Sequence, residues 1–341
     1  MKILLIRFSS IGDIVLTTPV VRCLKLQMPE VEIHYLTKRA FKPILIANPY
    51  IDQLHFLDDN LDEIIPELQT EHFDLVIDLH KNIRSLKVKR ALNVPAKSFD
   101  KKNVEKWLLV NFKINWMPEQ SIVARYMATV STLGIVNDGK GLDYFIPPET
   151  KLTNNDVPMS HWAGYVACVI GGSYQTKKLP VAKWKELINK VPFPVMLIGG
   201  PEDKAEGREI AEMDAVKIYN SCGKFNLNES AWLIEKSKVV VSNDTGMMHI
   251  AAAFKKPIIS LWGNTSPEMG MFPYYGSNDR KTHLSPLSLF MNNQDLYCHP
   301  CSKLGYAKCP KKHFRCMNEL DMEKAANALK KYWLIPNGQT P

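Results

Sequence analysis

Long apolar runs are absent from the sequence, since no stretch approaches the ~18 residues that a membrane-spanning helix needs. The opening apolar stretch is interrupted by Arg7 and Asp13 and is too short for a signal peptide. The chain has 341 residues, of which 45% are hydrophobic and 23% charged, so it is globular and long enough for two domains. This composition excludes a disordered tail, a collagen-like fibre and a small disulfide scaffold. We expect a cytoplasmic protein.

Glycine-rich nucleotide motifs are also missing. No G-x-G-x-x-G fingerprint occurs, and the glycines at 171 and 172 lack the spacing of a P-loop. These absences weigh against a nicotinamide oxidoreductase, which stays one of the alternative functions.

Cysteine is present but unevenly placed. Cys23, Cys168 and Cys222 stand in apolar or mixed surroundings and are predicted to be buried thiols. The other four form a C-x2-C-x7-C-x6-C cluster: Cys298, Cys301, Cys309 and Cys316. In a cytosolic chain such a cluster favours metal over disulfides, but its spacing is not that of a zinc ribbon. We predict no metal at the active site and no cofactor, and leave open a structural metal at the four cysteines.

Positive charge is concentrated in one segment. The chain has 43 basic and 35 acidic side chains, giving a formal net charge of +8. Residues 81–113 alone carry ten Lys/Arg against Asp100 and Glu105, an excess of eight. Such a segment suits a polyanion or an anionic membrane surface, and a solvated helix face is the alternative. Without a recognised binding motif, nucleic acid is not predicted.

Short apolar runs alternate with amphipathic segments along the chain, a pattern that predicts parallel sheets covered by helices. Strands are predicted at 2–8, 32–37, 53–57, 74–79, 97–99, 165–170, 195–198, 216–219, 239–242 and 258–261. Helices are predicted at 12–26, 182–189, 204–211, 228–236 and 247–253. A polar, proline-containing linker at 147–158 separates two such series. Ligands bind at the carboxyl ends of strands in such folds, so we expect a cleft between two domains.

The first polar turn, Ser9-Ser10-Ile11-Gly12-Asp13, joins a predicted strand to a predicted helix. Free N–H groups at a helix start favour anions, and Asp13 lies at the mouth of the expected cleft. The alternative is that Asp13 only complements the helix dipole.

A second turn, at 171–180, also follows a strand. Ser173 and Thr176 offer hydroxyls, and Lys177 or Lys178 offers a positive charge for a phosphate. An ordinary surface turn with two solvated lysines is the alternative interpretation.

A third turn, Asp244-Thr245-Gly246-x-x-His249, again joins a strand to a helix, whose free N–H groups suit a diphosphate. A further strand-end turn places Glu202 or Asp203 to bind a ribose diol, or to cap the next helix.

These motifs, in this order, resemble the ADP-heptose:lipopolysaccharide heptosyltransferases of glycosyltransferase family nine. The likeness covers nearly the whole chain and is strongest at Asp244-Thr245-Gly246-x-x-His249, followed by Gly263-x-Thr265-x-Pro267. It implies an α/β GT-B fold, with two Rossmann-like domains whose parallel sheets face each other across a cleft. Its expected parts are an acceptor domain with the base at 1–155, a nucleotide-sugar domain at 156–320, and a C-terminal helix and tail at 321–341.

The resemblance implies an inverting, metal-independent transfer of heptose from ADP-heptose to a lipid-linked lipopolysaccharide core acceptor. Asp13 matches the general base, and Lys177 matches the phosphate-binding lysine. The residues expected to bind the donor are Ser10, Gly12, Ser173, Thr176, Glu202, Phe225, Asp244, Thr245, Gly246 and His249. Leu179 replaces the family's usual tryptophan before Pro180, which puts the packing of that loop in doubt.

The acceptor implied by the resemblance is anionic and lies at the inner face of the cytoplasmic membrane, where peripheral contact is expected. From charge alone, Arg84, Lys87 and Arg90 are predicted to meet its phosphates or carboxylates. Two further alternatives stay open: a relative acting on another nucleotide sugar or acceptor, and a non-catalytic nucleotide-sugar-binding protein.

Overall fold

The computed structural model describes residues 1–276 and 286–335, which form eleven β-strands and thirteen α-helices. The strands are β1 (Lys2–Ile6), β2 (Glu32–Lys38), β3 (Gln53–Leu57), β4 (Leu75–Asp78), β5 (Ala96–Ser98), β6 (Val166–Val169), β7 (Val195–Ile198), β8 (Ile218–Asn220), β9 (Val239–Asn243), β10 (Ile258–Trp262) and β11 (Ser288–Asn292). The helices are α1 (Ile11–Val15), α2 (Thr18–Gln27), α3 (Lys42–Leu45), α4 (Leu61–Thr70), α5 (Ile83–Leu92), α6 (Asn103–Phe112), α7 (Ile122–Met127), α8 (Val181–Asn189), α9 (Lys204–Ala211), α10 (Leu227–Lys236), α11 (Gly246–Ala253), α12 (Arg315–Asn318) and α13 (Met322–Trp333).

Two parallel sheets organise the molecule, as the alternating pattern predicts. The first has the order β3-β2-β1-β4-β5, and the second β11-β10-β9-β6-β7-β8. Every strand pair in both sheets is parallel. The central strands are apolar and buried because helices cover both faces of each sheet. This is the GT-B architecture expected from the sequence.

Each sheet has one point where its strand order reverses, which positions the functional site. The reversal lies between β1 and β4 in the first sheet, and between β6 and β9 in the second. A crevice opens outside the carboxyl ends of the strands at such a point. All three polar turns singled out in the sequence follow one of these strands.

The single helix predicted at 12–26 is wrong in one respect, because the chain forms two helices, α1 and α2, with a break at Leu16 and Thr17. Pro19 has no N–H to donate to the carbonyl oxygen of Val15, so the helix cannot continue unbroken. The hydroxyl of Thr18 donates to that oxygen instead, at 2.8 Å. Because of this break, α1 ends after five residues, and Asp13 lies in a short helix that is separate from α2.

Two regions depart from the sequence prediction or add to it. Strand β11 was not predicted; its run is short and half-buried, so its pattern is weak. The chain at 147–158 contains only a 3-10 turn, Asn154–Asp156.

Helix α13 packs on the core of the second sheet, where Trp333 stacks on Phe193 with ring centroids 4.1 Å apart. The boundaries of the three parts remain predictions.

None of the helices at 1–276 and 286–335 is both long enough and apolar enough to span a bilayer.

Candidate active site

A cavity of about 610 Å³ lies between the two sheets, at the carboxyl ends of their central strands. This volume falls within the range of small-molecule sites. Five basic side chains and two carboxylates of the described chain line it: Arg7, Lys101, Lys106, Lys177, Lys303, Asp13 and Asp244. The excess of positive charge suits an anionic ligand such as a diphosphate.

Asp13 enters the cavity from the first sheet, at the start of α1. One carboxylate oxygen accepts hydrogen bonds from the Ser10 hydroxyl at 2.7 Å and the Ser10 N–H at 3.2 Å. The other oxygen lies 2.5 Å from Nη2 of Arg7. The carboxylate therefore caps its own helix and also lines the cavity.

Arg7 is a cavity-lining residue that the sequence interpretation passed over. It is buried at the end of β1 and also donates to the backbone oxygens of Leu79 (2.6 Å) and Ser9 (2.8 Å). These bonds hold the guanidinium against Asp13 in a fixed orientation. One feature of the sequence could have identified Arg7: it is a single charged residue directly after an apolar strand, six residues before the predicted base.

The electrostatics of Asp13 keep it ionised. Burial by itself raises the pKa of this carboxyl, but Arg7 and the Ser10 hydrogen bonds outweigh burial and bring the pKa below its ordinary 3.8. Burial lowers the pKa of His249, across the cavity, to about 4, so that imidazole is neutral at pH 7. The site therefore pairs an ionised carboxylate with a neutral histidine.

From the second sheet, helix α11 directs its N-terminus at the cavity. Thr245 is the N-cap in extended conformation, and the helix begins at Gly246. Both residues line the cavity together with His249, whose Nδ1 is buried without a hydrogen-bond partner in the described chain. Free N–H groups and an available ring nitrogen fit an anionic ligand with hydroxyls.

The two glycines of these turns, Gly12 and Gly246, allow the domains to touch. A Cβ on Gly12 would lie 2.5 Å from Cδ2 of His249, and one on Gly246 would lie 2.6 Å from Cβ of Ile11. Any larger residue would push α1 and α11 apart. The contact brings Asp13 to the same cavity as the N-terminus of α11.

Lys177, rather than Lys178, is the lysine of the site. The Nζ atom of Lys177 lies 2.6 Å from Oδ2 of Asp244, which also accepts a hydrogen bond from the Thr265 hydroxyl at 2.8 Å. Lys178 is buried and turned away, with its Nζ 2.9 Å from Asp203. The structure thus decides between the two lysines that the sequence left open, and it excludes Asp203 as a ribose ligand.

The two hydroxyl residues of the turn at 171–180, Ser173 and Thr176, differ in whether they reach the cavity. Ser173 is exposed and lines the cavity. Thr176 is buried and is not among the residues that line the cavity. Its hydroxyl accepts a hydrogen bond from the backbone N–H of Tyr306 at 2.8 Å and donates one to the backbone oxygen of Tyr306 at 3.0 Å. The Thr176 hydroxyl thus holds the segment after β11, and direct contact of Thr176 with the donor remains a prediction.

That segment carries the four clustered cysteines and reaches the cavity through Lys303 and Leu304. All seven cysteines of the chain are free. The thiols at 298, 301, 309 and 316 are neighbours, and burial, reinforced by the other three, raises the pKa of Cys316 to about 12. The segment therefore has a structural part in the site, and no metal is assigned to its thiols.

Two predicted donor contacts lie outside the cavity wall. Glu202 is exposed on the 3-10 helix Pro201–Asp203, and Phe225 packs, partly buried, against the larger apolar core. Both follow strands at one side of the cavity-lining turns. Their ribose and adenine contacts remain predictions.

The predicted acceptor residues Arg84, Lys87 and Arg90 are exposed on α5 and are not among the residues that line the cavity. Two other lysines of the basic segment, Lys101 and Lys106, do line it. Burial lowers the pKa of Lys106 to about 8. The charge excess of 81–113 therefore reaches the cavity through Lys101 and Lys106, whereas Arg84, Lys87 and Arg90 face solvent on α5. Their contact with the acceptor or with a membrane surface remains a prediction.

The chain is similar in sequence and in fold to known proteins. The family profile described as glycosyltransferase family 9 (heptosyltransferase) matches residues 63–290. The chain is 27% identical to lipopolysaccharide heptosyltransferase 1 of Campylobacter coli, over 78% of this chain and 84% of that protein. It is 26% identical to lipooligosaccharide heptosyltransferase 2 of Haemophilus influenzae, over 79% and 85%. The solved structure of ADP-heptose lps heptosyltransferase II of E. coli superposes with a TM-score of 0.72 at 19% identity, covering 98% of this chain and 99% of that one.

Proposed function

The chain belongs to glycosyltransferase family 9, and from this premise we propose that it transfers heptose from ADP-heptose to an anionic, lipid-linked core saccharide with inversion at the anomeric carbon. The observation that carries the proposal is one cavity lined from both sheets: Asp13 comes from the first, and Lys177 and the N-terminus of α11 come from the second. A carboxylate and an anion-binding surface thus line one cavity from opposite sheets.

The proposed reaction needs both surfaces at once. Asp13 accepts the proton of the acceptor hydroxyl as its oxygen attacks the anomeric carbon of the donor. The bond between that carbon and the diphosphate oxygen breaks, and ADP leaves with the bonding electrons. Lys177 and the N–H groups of Thr245 and Gly246 stabilise the charge that develops on the diphosphate. The diphosphate leaves without being protonated, so the reaction needs no general acid. One carboxylate, acting as the base, is therefore sufficient.

Donor binding is tested by calorimetric titration with ADP, GDP, UDP, CDP and NAD, followed by ADP-heptose. We expect selective binding of ADP and ADP-heptose, because the proposed donor is an adenosine diphosphate sugar. A preference for another nucleotide would keep the roles of Asp13 and Lys177 but assign a different sugar. Failure of all six to bind would favour a non-catalytic protein, or one that must bind its acceptor first.

The acceptor is proposed to contact the basic residues of the first domain in two places. Replacing Lys101 and Lys106 together by methionine should raise the acceptor KM about 100-fold, since each of the two lost charge-assisted contacts is worth about 1.4 kcal/mol, a factor of ten. Replacing Arg84, Lys87 and Arg90 together by alanine should instead weaken partition onto vesicles with anionic lipid, at ~1 kcal/mol per charge. Steady-state kinetics and vesicle sedimentation separate the two; unchanged KM and partition in both variants would remove these roles.

A further inference from the structure

Two buried histidines lie on neighbouring strands of the first sheet, away from the cavity. His34 on β2 and His55 on β3 are 0% and 1% exposed, and neither lines the cavity. Their rings stack with centroids 5.0 Å apart, and Nδ1 of His34 lies 2.8 Å from Nε2 of His55. Both occupy the third position of their strands, whereas the cavity opens at the carboxyl ends.

The second nitrogen of each ring faces a carboxylate. Nε2 of His34 lies 2.8 Å from Oε1 of Glu32, and Nδ1 of His55 lies 2.6 Å from Oε1 of Glu67. An ionised carboxylate only accepts, so these two ring nitrogens carry the hydrogens. If both imidazoles are neutral, Nδ1 of His34 and Nε2 of His55 carry no hydrogen. Their lone pairs then face each other with no hydrogen between them. A proton or a metal ion between the two nitrogens removes this repulsion, and their 2.8 Å separation is that of a shared proton when no metal is bound.

A third ligand stands beside the pair. A carboxylate oxygen of Glu71 and the ligand nitrogens of His34 and His55 all lie within 4.8 Å of one another. Metal-bound histidines commonly donate their other ring N–H to a carboxylate, which fixes the tautomer and aims the free nitrogen at the metal. Here both histidines have that second partner. Two imidazoles and one carboxylate, with water completing the tetrahedron, form a familiar set of Zn²⁺ ligands.

We propose that His34, His55 and Glu71 bind a divalent transition-metal ion of the Zn²⁺ class, with Glu32 and Glu67 orienting the two imidazoles. The ion ties β2, the edge strand β3 and the end of α4 together. Lys2, whose Nζ lies 2.8 Å from Glu71 and 3.3 Å from Glu32, neutralises part of the surrounding negative charge. None of these five residues lines the cavity, so the ion is structural and takes no part in transfer.

The test measures bound metal and its ligands in the full chain. Wild type, Glu71→Gln and the control Glu63→Gln, an exposed residue of the same helix, are loaded with Co²⁺ or Zn²⁺ and freed of excess metal. We expect wild type and Glu63→Gln to hold one equivalent more than Glu71→Gln. The visible Co²⁺ absorption that differs between them should lack a thiolate charge-transfer band, which distinguishes this ion from any held by the four cysteines.

A second variant protects the test against misfolding. Glu67 is half-exposed, and Glu67→Gln keeps its size; loss of such an orienting partner typically weakens metal affinity about 10–100-fold. Added Zn²⁺ should raise the thermal unfolding midpoint of wild type and Glu63→Gln, and raise it less for Glu67→Gln at the same concentration. Equal metal content in wild type and Glu71→Gln would overturn the proposal. So would Zn²⁺-loaded protein in which NMR still detects one proton shared between His34 and His55.

Discussion

Replacing Asp13 by asparagine is expected to lower turnover by about 10²–10⁴-fold while leaving ADP affinity nearly unchanged. The amide keeps the size of the side chain but cannot take up the acceptor's proton at neutral pH. Asparagine is preferable to alanine because its amide oxygen can still accept the hydrogen bonds of Ser10 that cap α1. Single-turnover assays with ADP titrations in parallel measure the two quantities separately.

Ser10→Ala is the matched control for the capping role of Asp13. It removes the hydroxyl that donates to Asp13 at 2.7 Å but keeps the carboxylate. We expect a small loss of stability, ~1 kcal/mol, and a modest loss of rate. If Asp13→Asn and Ser10→Ala lost stability and activity alike, Asp13 would be a structural residue and the assignment of the base would be wrong.

The pH dependence of kcat/KM gives an independent readout of the same carboxylate. Its pKa lies below the ordinary 3.8, because Arg7 and Ser10 outweigh the effect of burial. A base is active when ionised, so wild type should show no acid limb from Asp13 near neutral pH. In Arg7→Gln the cation is lost, burial then raises the pKa of Asp13, and the acid limb should move to higher pH. A limb at the same pH in both enzymes would show that another group acts as the base.

Lys177→Met is expected to lower turnover by about 10²–10³-fold, as removal of one donor to a developing negative charge does elsewhere. Unlike Asp13→Asn, this change should also weaken ADP binding, because the lysine meets the diphosphate before and after transfer. The substitution also leaves Asp244, 2.6 Å from the lysine in wild type, without its cation partner. That carboxylate then repels the diphosphate.

The double variant Lys177→Met/Asp244→Asn separates these two effects. Removing the repulsion should restore part of the ADP affinity, while turnover stays low because the positive charge is still missing. Lys185→Met, which changes a lysine on α8 paired with Glu209, is the control and should match wild type. Unchanged turnover in Lys177→Met would mean that Lys177 serves only to pair with Asp244.

Local patterns in the sequence were sufficient for much of the fold. The strand predicted at 195–198 coincides with β7, because four buried apolar residues between polar turns have few other conformations. The strand predicted at 53–57 also coincides with β3, although only His55 and Leu57 of that strand are buried. The turn at Asp244-Thr245-Gly246 was found for a similar reason: a strand that ends into a helix start is written in neighbouring residues. The helix break before Pro19 is also encoded locally. It became evident only from the structure, where the Thr18 hydroxyl donates to the carbonyl oxygen of Val15.

Choices between similar residues depended on three dimensions. Lys177 and Lys178 are adjacent and chemically equal, and only the position of Asp203 shows which one is taken up in a buried ion pair. Thr176 resembles Ser173 in sequence, yet Tyr306, 130 residues further on, occupies its hydroxyl. Side chains that turn inward or outward on a helix cannot be told apart by charge alone.

By itself, the sequence determined the two βα series, the polar turns at their strand ends and the family to which these turns belong, since each is encoded by residues close together in the chain. Tertiary structure decided which charges meet. Lys177 against Asp244, and His34 against His55, are pairings between separate turns or strands, made only when the sheets assemble. The energy of a charge depends on its burial and its partners, and both are properties of the folded chain.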